Sequence, residues 1–429
     1  MVDEAQRWTD LDKVILRNSP LSAEGFIPGD ETKTMLMQYA RILVIGAGGL
    51  GCEILKCLAL SGFRDIHVID LDRIDVTNLN RQFLFRKEDV GAYKAEVAAR
   101  FVMNRVPGCK VTAYTQKCQE FDDSFYRDFH LVIAGLDNIE ARRWMNSMLH
   151  SLVEFDSQGN VVPGTARPLI DGGTEGFKGQ ARVILPFSSA CYECTLGSLP
   201  PQTAYQLCTI AETPRIPQHC IQYAYLIEWE KAFPGRRVDK DSAEDMHWIC
   251  DKATERAAHY GIEGVTYTLT MGVVKNIIPA IASTNALISA SCASEAFKLA
   301  TYSAKSMSNY MMYMGQTGLH ISTFAYEKDS ECLVCSQKPY DLSFSRDGTL
   351  KDLIDTIIEK LRLKKPGVTS ASGNLYLPSP PSLEQKLRFK LDLSFAELIA
   401  QSFYREGEEL NISDPTLTNV IKVNIALVD

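Results

Sequence analysis

Three groups of residues in this 429-residue chain could do chemistry. The first is Gly46-Ala-Gly-Gly-Leu-Gly51, a G-x-G-x-x-G turn in which Gly46, Gly48, Gly49 and Gly51 let the backbone approach a phosphate and open a helix N-terminus toward it. Asp70 stands at the end of the next apolar run, placed to accept ribose hydroxyls. By itself this fingerprint fits an NAD-dependent oxidoreductase as well as any other nucleotide-binding protein. The residues after Asp70 depart from that class. Asp70, Asp72, Asn78, Arg81 and Gln82 crowd into one short stretch, Lys94 comes next, and Gly135-Leu-Asp-Asn138 places Asp137 at a strand end. Arginine and lysine suit a triphosphate, and a strand-end aspartate suits Mg²⁺. A lone Arg81 or Lys94 would be read as a surface charge; within one constellation they are read as a site.

The second group is Cys191-Tyr-Glu-Cys194 and Cys332-Leu-Val-Cys335. A single C-x-x-C can be a redox motif, but two pairs complete a closed tetrahedral shell, which points to structural Zn²⁺. The third group is Cys208 and Cys220, in a proline-bearing segment that also carries His219. A cysteine opening a helix has its thiolate favoured by the dipole. On chemistry alone Cys208, Cys220 and an inert pair stand level. Cys52, Cys57, Cys109, Cys118, Cys250 and Cys292 have no local signature and are read as core or surface thiols.

The elements that must position these groups alternate. Residues 41–46 form a buried strand, the fingerprint opens a helix through Leu50, Ile54 and Leu58, 67–70 and 131–134 are strands, and 96–106 is a helix. This order predicts an α/β fold with a parallel-type sheet. The prolines at 200, 201, 214 and 217 open a change of pattern that predicts a mostly helical insertion. From Pro339 a small α+β module begins, with a capping signal at Thr349–Asp352, a helix through Leu350, Leu353, Ile354, Ile357, Ile358 and Leu361, a loop over 378–382, and a terminal strand of alternating Ile421, Val423, Ile425 and Leu427. The predicted domains are an N-terminal extension 1–40, a first α/β part 41–199, the insertion 200–270, a second α/β part 271–338, and the module 339–429.

Composition narrows the class. A 45% hydrophobic and 23% charged chain is globular, and a net charge of -8 argues against nucleic acid as main partner. No run approaches the roughly 20 apolar residues a membrane span needs, and the polar start MVDEAQRWTD shows no secretory signal. Twelve cysteines without such a signal predict reduced thiols. We expect cytoplasm and nucleus.

The ordered set G-x-G-G-x-G, D-x-D-x-I-x-x-x-N-L-N-R-Q, a downstream lysine and G-L-D-N resembles the adenylation domain of ubiquitin-like-protein activating enzymes, which sulfur-carrier adenylyltransferases share. The resemblance implies a Rossmann-like adenylation domain, an inserted catalytic-cysteine domain and a C-terminal ubiquitin-fold domain. It implies that Asp70 holds ribose, that Asn78, Arg81 and Lys94 meet the phosphates of ATP, and that Asp137 binds Mg²⁺; Gln82 is a weaker match. It also places zinc at the four paired cysteines. Leu207-Cys-Thr-Ile-Ala-Glu-Thr-Pro-Arg215 resembles the family's catalytic-cysteine motif, which implies Cys208 as nucleophile with Thr209 assisting and leaves His219 and Cys220 structural. Sulfur-carrier enzymes lack this insertion, so it separates the two readings. The chain looks closest to the catalytic subunit of the Nedd-type branch. There the segment Asp171–Val183 implies that Arg182 repels the arginine-bearing tail of ubiquitin, a like-charge rejection. One family element is missing: Leu11–Arg17 does not resemble the family's N-terminal arginine motif. The resemblance therefore implies a heterodimer whose inactive regulatory subunit supplies that arginine, acting on a Nedd-type modifier and its conjugating enzyme.

Overall fold

The computed structural model describes residues 4–198, 214, 216–236, 238–239, 242–274 and 280–428. The chain divides into two compact units, Met1–Gly197 with Ile281–Asp429, and Ser198–Ala280.

In the larger unit, β1 (Arg41–Ile45) is flanked by parallel neighbours on both sides. One neighbour is β2 (Asp65–Ile69), beyond which lies β3 (Lys110–Tyr114); the other is β4 (Leu131–Ala134), followed by β5 (Leu169–Glu175). Ile42 to Ile45 and Leu131 to Ala134 are buried without alternation, as expected of parallel strands covered on both faces. The full order is β3-β2-β1-β4-β5-β6-β7-β8, with β6 (Lys178–Ile184), β7 (Tyr310–Met314) and β8 (His320–Phe324) antiparallel. The parallel-type sheet thus carries an antiparallel flank. Its first hairpin turns through Gly176-Phe177, and Gly176 takes the positive φ of +56° that such a short connection asks for.

The fingerprint helix runs Gly49–Leu60 and buries Leu50, Ile54, Leu55 and Leu58. Each such side chain contributes roughly 1.5–3 kcal/mol of burial. Against it packs the Ala282–Thr301 helix, whose Ser289 Oγ donates to the carbonyl of Leu50 at 2.9 Å. The chain leaves β1 for β2 on one side, while β4 lies on the other. The loops after β1, β2 and β4 therefore meet at the carboxyl edge of the sheet, where the strand order reverses.

The C-terminal part forms a five-stranded sheet, order β11-β10-β12-β13-β9, from β9 (Tyr340–Ser345), β10 (Gly367–Ser370), β11 (Gly373–Tyr376), β12 (Leu410–Ser413) and β13 (Ile421–Val428). Ile421, Val423 and Ile425 face inward in alternation. The Leu350–Leu361 helix opens on a reciprocal Thr349–Asp352 capping box. The loop expected over 378–382 is shorter than predicted: a helix starts at Pro381, because proline at the first helical position has its φ already set and lacks only an N–H that would be unpaired there anyway.

The smaller unit is helical in its described residues, with Pro217–Tyr223, Ala243–His259 and Tyr267–Val274 packed around Cys220, Ile221, Trp229, Met246, Ile249 and Ala253. Among the described residues no helix is long and apolar enough to cross a membrane.

Candidate functional site: a nucleotide cradle at the sheet switch point

The four fingerprint glycines have different reasons to be glycine. Gly46 turns with φ +96°, and a Cβ there would meet the carbonyl of Gly135 at 2.8 Å. A Cβ on Gly51 would lie 1.8 Å from the carbonyl of Gly46, and one on Gly49 would strike Nδ2 of Asn285 at 2.2 Å. Gly46 and Gly51 are demanded by backbone that cannot yield, whereas Gly49 leaves room for a side-chain amide from another helix. Gly48 faces open space, its nearest neighbour being Gln82 Nε2 at 4.0 Å. It is the position where something outside the chain can approach the backbone.

Around this turn the structure gathers the predicted residues. Asp70 accepts hydrogen bonds from the amides of Ala47 at 2.6 Å and Asp72 at 2.8 Å. Burial pushes its carboxyl above the ordinary range, partly offset by those two amides and by Lys94. Lys94 opens the Lys94–Arg105 helix, is buried, and reaches Asp72 at 2.8 Å. Asp72 is its counter-ion within the chain, leaving an ammonium that a phosphate could also claim. Asn78 is buried and closes a capping box, with Oδ1 accepting the amide of Asp75 at 2.9 Å. Gln82 is buried, and its Oε1 has no hydrogen-bond partner among the described residues. The stem of Arg81 lies beside Gly49, while its guanidinium caps its own turn by donating to the Thr77 carbonyl at 2.8 Å and Asn80 Oδ1 at 3.0 Å. Asp137 is exposed in the loop after β4, held by Asn138 Nδ2 at 3.0 Å. Asn138 also caps the Ile139–Ser151 helix by accepting the Ala141 amide at 2.7 Å.

A second layer was not legible in the sequence. Arg142 is ion-paired with Asp171 of β5 and donates to the carbonyls of Leu136 and Gly172, which braces the Asp137 loop. Asp171 also accepts from Gln180 Nε2 at 2.8 Å. The available signal was Asp171 itself, an acid inside an apolar strand run, which needs a buried partner. Asn285 was missed as well; its Oδ1 accepts from Thr174 at 2.6 Å while its amide nitrogen covers Gly49.

Arg182, expected from the resemblance to repel the tail of ubiquitin, lies inside the protein. It is 4% exposed, 3.4 Å from Asp171, bonded to Gln180 Oε1 at 3.2 Å and Thr195 Oγ1 at 2.7 Å, and stacked between Tyr192 and Tyr310. Its charge is offset by Asp171 and covered by rings.

The two C-x-x-C pairs converge. Cys191 lies 3.7 Å from Cys194 and 3.5 Å from Cys332, Cys194 lies 3.4 Å from Cys335, and all four sulfurs fall within 4.8 Å of one another. A metal with bonds of about 2.3 Å to sulfur has a tetrahedral edge of about 3.8 Å, so the thiols fit such a shell. The Asp329 amide points at Cys194 Sγ at 3.5 Å, the kind of outer contact that steadies a thiolate.

Cys208 and Thr209 lie outside the described residues. Cys220 is fully buried in the helical unit, and burial raises its thiol further from ionisation, as suits a core residue.

A glycine-fingerprint sheet with carboxylates and cations at its switch point defines a nucleotide-binding α/β class, and residues 25–334 match the ThiF family model. Residues 343–427 match the model of the E2 binding domain. The chain is 47% identical to the NEDD8-activating enzyme E1 catalytic subunit of Dictyostelium discoideum, covering 99% of this chain and 98% of that one. It is 45% identical to the Nedd8-activating enzyme E1 catalytic subunit of Drosophila melanogaster (99% and 96% covered) and 49% identical to the NEDD8-activating enzyme E1 catalytic subunit of Arabidopsis thaliana (91% and 87% covered). The chain belongs to the ThiF family and, within it, to the NEDD8-activating enzyme E1 catalytic subunits.

Proposed function

We propose that this chain is the catalytic subunit of a heterodimeric enzyme that uses ATP to activate a NEDD8-type modifier and hands it to a conjugating enzyme. The observation that carries the reading is one chain joining the switch-point cradle to an E2 binding domain. The modifier's C-terminal carboxylate attacks the α-phosphate of ATP, giving an acyl-adenylate and releasing pyrophosphate. In this reading Asp70 orients the ribose, the Gly48 backbone approaches the phosphates, and Arg81 and Lys94 stabilise charge as it develops. Bound at Asp137, Mg²⁺ would neutralise phosphate oxygens. The Cys208 thiolate then attacks the acyl carbonyl, expels AMP and holds the modifier as a thioester, with Thr209 assisting. A thiol of the conjugating enzyme takes the acyl group in turn. Cys191, Cys194, Cys332 and Cys335 would hold a zinc ion, which with four thiolate ligands would serve structure and not act on substrate. The regulatory subunit supplies the arginine motif that Leu11–Arg17 does not match. The reading expects the enzyme in cytoplasm and nucleus.

The deciding experiment incubates the chain and its partner subunit with ATP and NEDD8, ubiquitin or a SUMO-type modifier, and then runs a non-reducing gel. A reducible adduct formed with NEDD8 in preference to the others is expected. No adduct with any modifier, with intact pyrophosphate exchange, would favour a sulfur-carrier-type adenylyltransferase.

A further inference from the structure

The four-cysteine site is joined to more than the sheet it staples. Glu193 lies inside the first knuckle, between Cys191 and Cys194, and its carboxylate takes Nε of Arg143 at 3.0 Å and Nη2 at 2.5 Å. Both side chains are almost fully buried. The same guanidinium donates onward to the carbonyls of Leu361 at 3.3 Å and Arg362 at 2.5 Å. Those carbonyls stand at the C-terminal end of the Leu350–Leu361 helix, where the last carbonyls find no partner within the helix. Arg362 answers in the other direction, its Nη1 donating to the carbonyl of Leu196 at 2.8 Å, two residues past Cys194.

The second knuckle is tied independently. Asn419 of the C-terminal domain donates through Nδ2 to the carbonyl of Leu333, between Cys332 and Cys335, at 2.9 Å. Its Oδ1 accepts from Ser147 Oγ at 2.6 Å, and that hydroxyl accepts the amides of Thr418 at 3.0 Å and Asn419 at 3.2 Å. Arg143 and Ser147 stand one turn apart on the Ile139–Ser151 helix, so one helix face serves both ties. That helix begins just after Asp137.

We infer that the two cysteine knuckles are the seat of the C-terminal domain, and that Arg143, Arg362 and Asn419 are positioning residues that set where a conjugating enzyme is presented. This rests on the reading of that domain as the E2-binding part. The acceptors at Leu196 and Leu333 and the carboxylate of Glu193 all belong to chain held by the thiols. An ion that locks four thiolates therefore locks these partners too, while a loosened shell releases them. Metal occupancy is in this way coupled to the transfer step, with no residue of the nucleotide cradle involved.

The test uses the full chain with its partner subunit and compares metal-loaded protein, chelator-treated protein, and the variants Asn419→Ala and Arg362→Met. Both variants sit on the C-terminal domain, leave the thiols intact and should keep one zinc per chain. Each should raise KM for the conjugating enzyme about tenfold, the scale of one lost hydrogen bond to a buried group, while pyrophosphate exchange and thioester formation stay unchanged. Hydrogen exchange at Thr418–Asn419 should rise in both variants, and in chelated protein it should rise before exchange in β1 and β4 does. Unchanged KM together with unchanged exchange at Thr418–Asn419 in both variants overturns the inference, as does chelated protein that keeps this protection. If chelation unfolds the whole chain, the two variants decide. Hydrogen exchange needs no modifier, so its outcome stands even where the activating function itself fails in the gel assay.

Discussion

At the residue scale, the glycines separate packing from ligand approach. Gly51→Ala forces a Cβ onto the Gly46 carbonyl, and overpacking against backbone should cost about 1–3 kcal/mol or more. Gly48→Ala meets nothing closer than 4.0 Å; it should fold normally and weaken ATP binding. Thermal melts with nucleotide titration check both, and a Gly48→Ala protein with normal ATP affinity would remove Gly48 from the cradle. Asp70 adds a pH dependence. Burial raises its carboxyl above the ordinary value of 3.8. Between that value and the raised one the native state holds a proton that the unfolded chain does not. As pH falls through this window Asp70's contribution to stability rises, while its capacity to accept ribose hydroxyls falls. ATP affinity should therefore drop on acidification above the usual carboxylate range, and Asp70→Asn should bind weakly with that limb missing. Arg182→Ala empties a buried place beside Asp171. It should cost about 3 kcal/mol, less whatever Arg142 recovers by remaining paired with Asp171. Calorimetry beside a ubiquitin-versus-NEDD8 assay distinguishes this from a selectivity role: a stable variant with relaxed choice would assign Arg182 to modifier selection.

At the element scale, several functional groups stand where a strand ends or a helix begins. Gly46 follows β1, Asp70 follows β2 and Asp137 lies in the loop after β4, while Lys94 and Asn138 sit at helix starts. Free N–H groups and strand-end loops converge there by the geometry of a parallel sheet. The cysteine knuckles work on the same scale, holding 191–194 against 332–335, with Cys191 and Cys332 separated by 141 positions in sequence. Cys332→Ser should lose the metal and lower the melting temperature by several degrees, because metal binding and local folding are one equilibrium. Metal analysis of the purified variant checks the first part; full zinc content with an unchanged melt would show that these thiols hold no structural ion.

At the scale of the whole molecule, the cradle residues all precede position 140, while Cys208 lies in the inserted sequence after the first cysteine pair. Adenylation needs stabilised phosphoryl charge and no thiol, while thioester formation needs a nucleophile. Cys208→Ala should keep pyrophosphate exchange and form no reducible adduct, and Cys220→Ala should keep both activities, with a stability loss from its buried position. An adduct that survives in Cys208→Ala and disappears in Cys220→Ala reverses the assignment. Local signals sufficed for the strands and helices of the cradle, the Thr349 cap and the four-cysteine set, because fingerprint turns, caps and C-x-x-C spacings are short-range and each residue type has one mechanical reason to be there. The β6–β7 pairing, the Arg142–Asp171 brace, the covering of Gly49 by Asn285 and the burial of Arg182 join residues well separated in the chain. Such partners are chosen by which buried charge or amide can be satisfied once the sheet has closed, and no local spacing carries that information. From the sequence alone came which chemistry the chain is equipped for; the tertiary structure decided which of those residues face a ligand and which hold the walls, since burial and charge pairing exist only after distant segments meet.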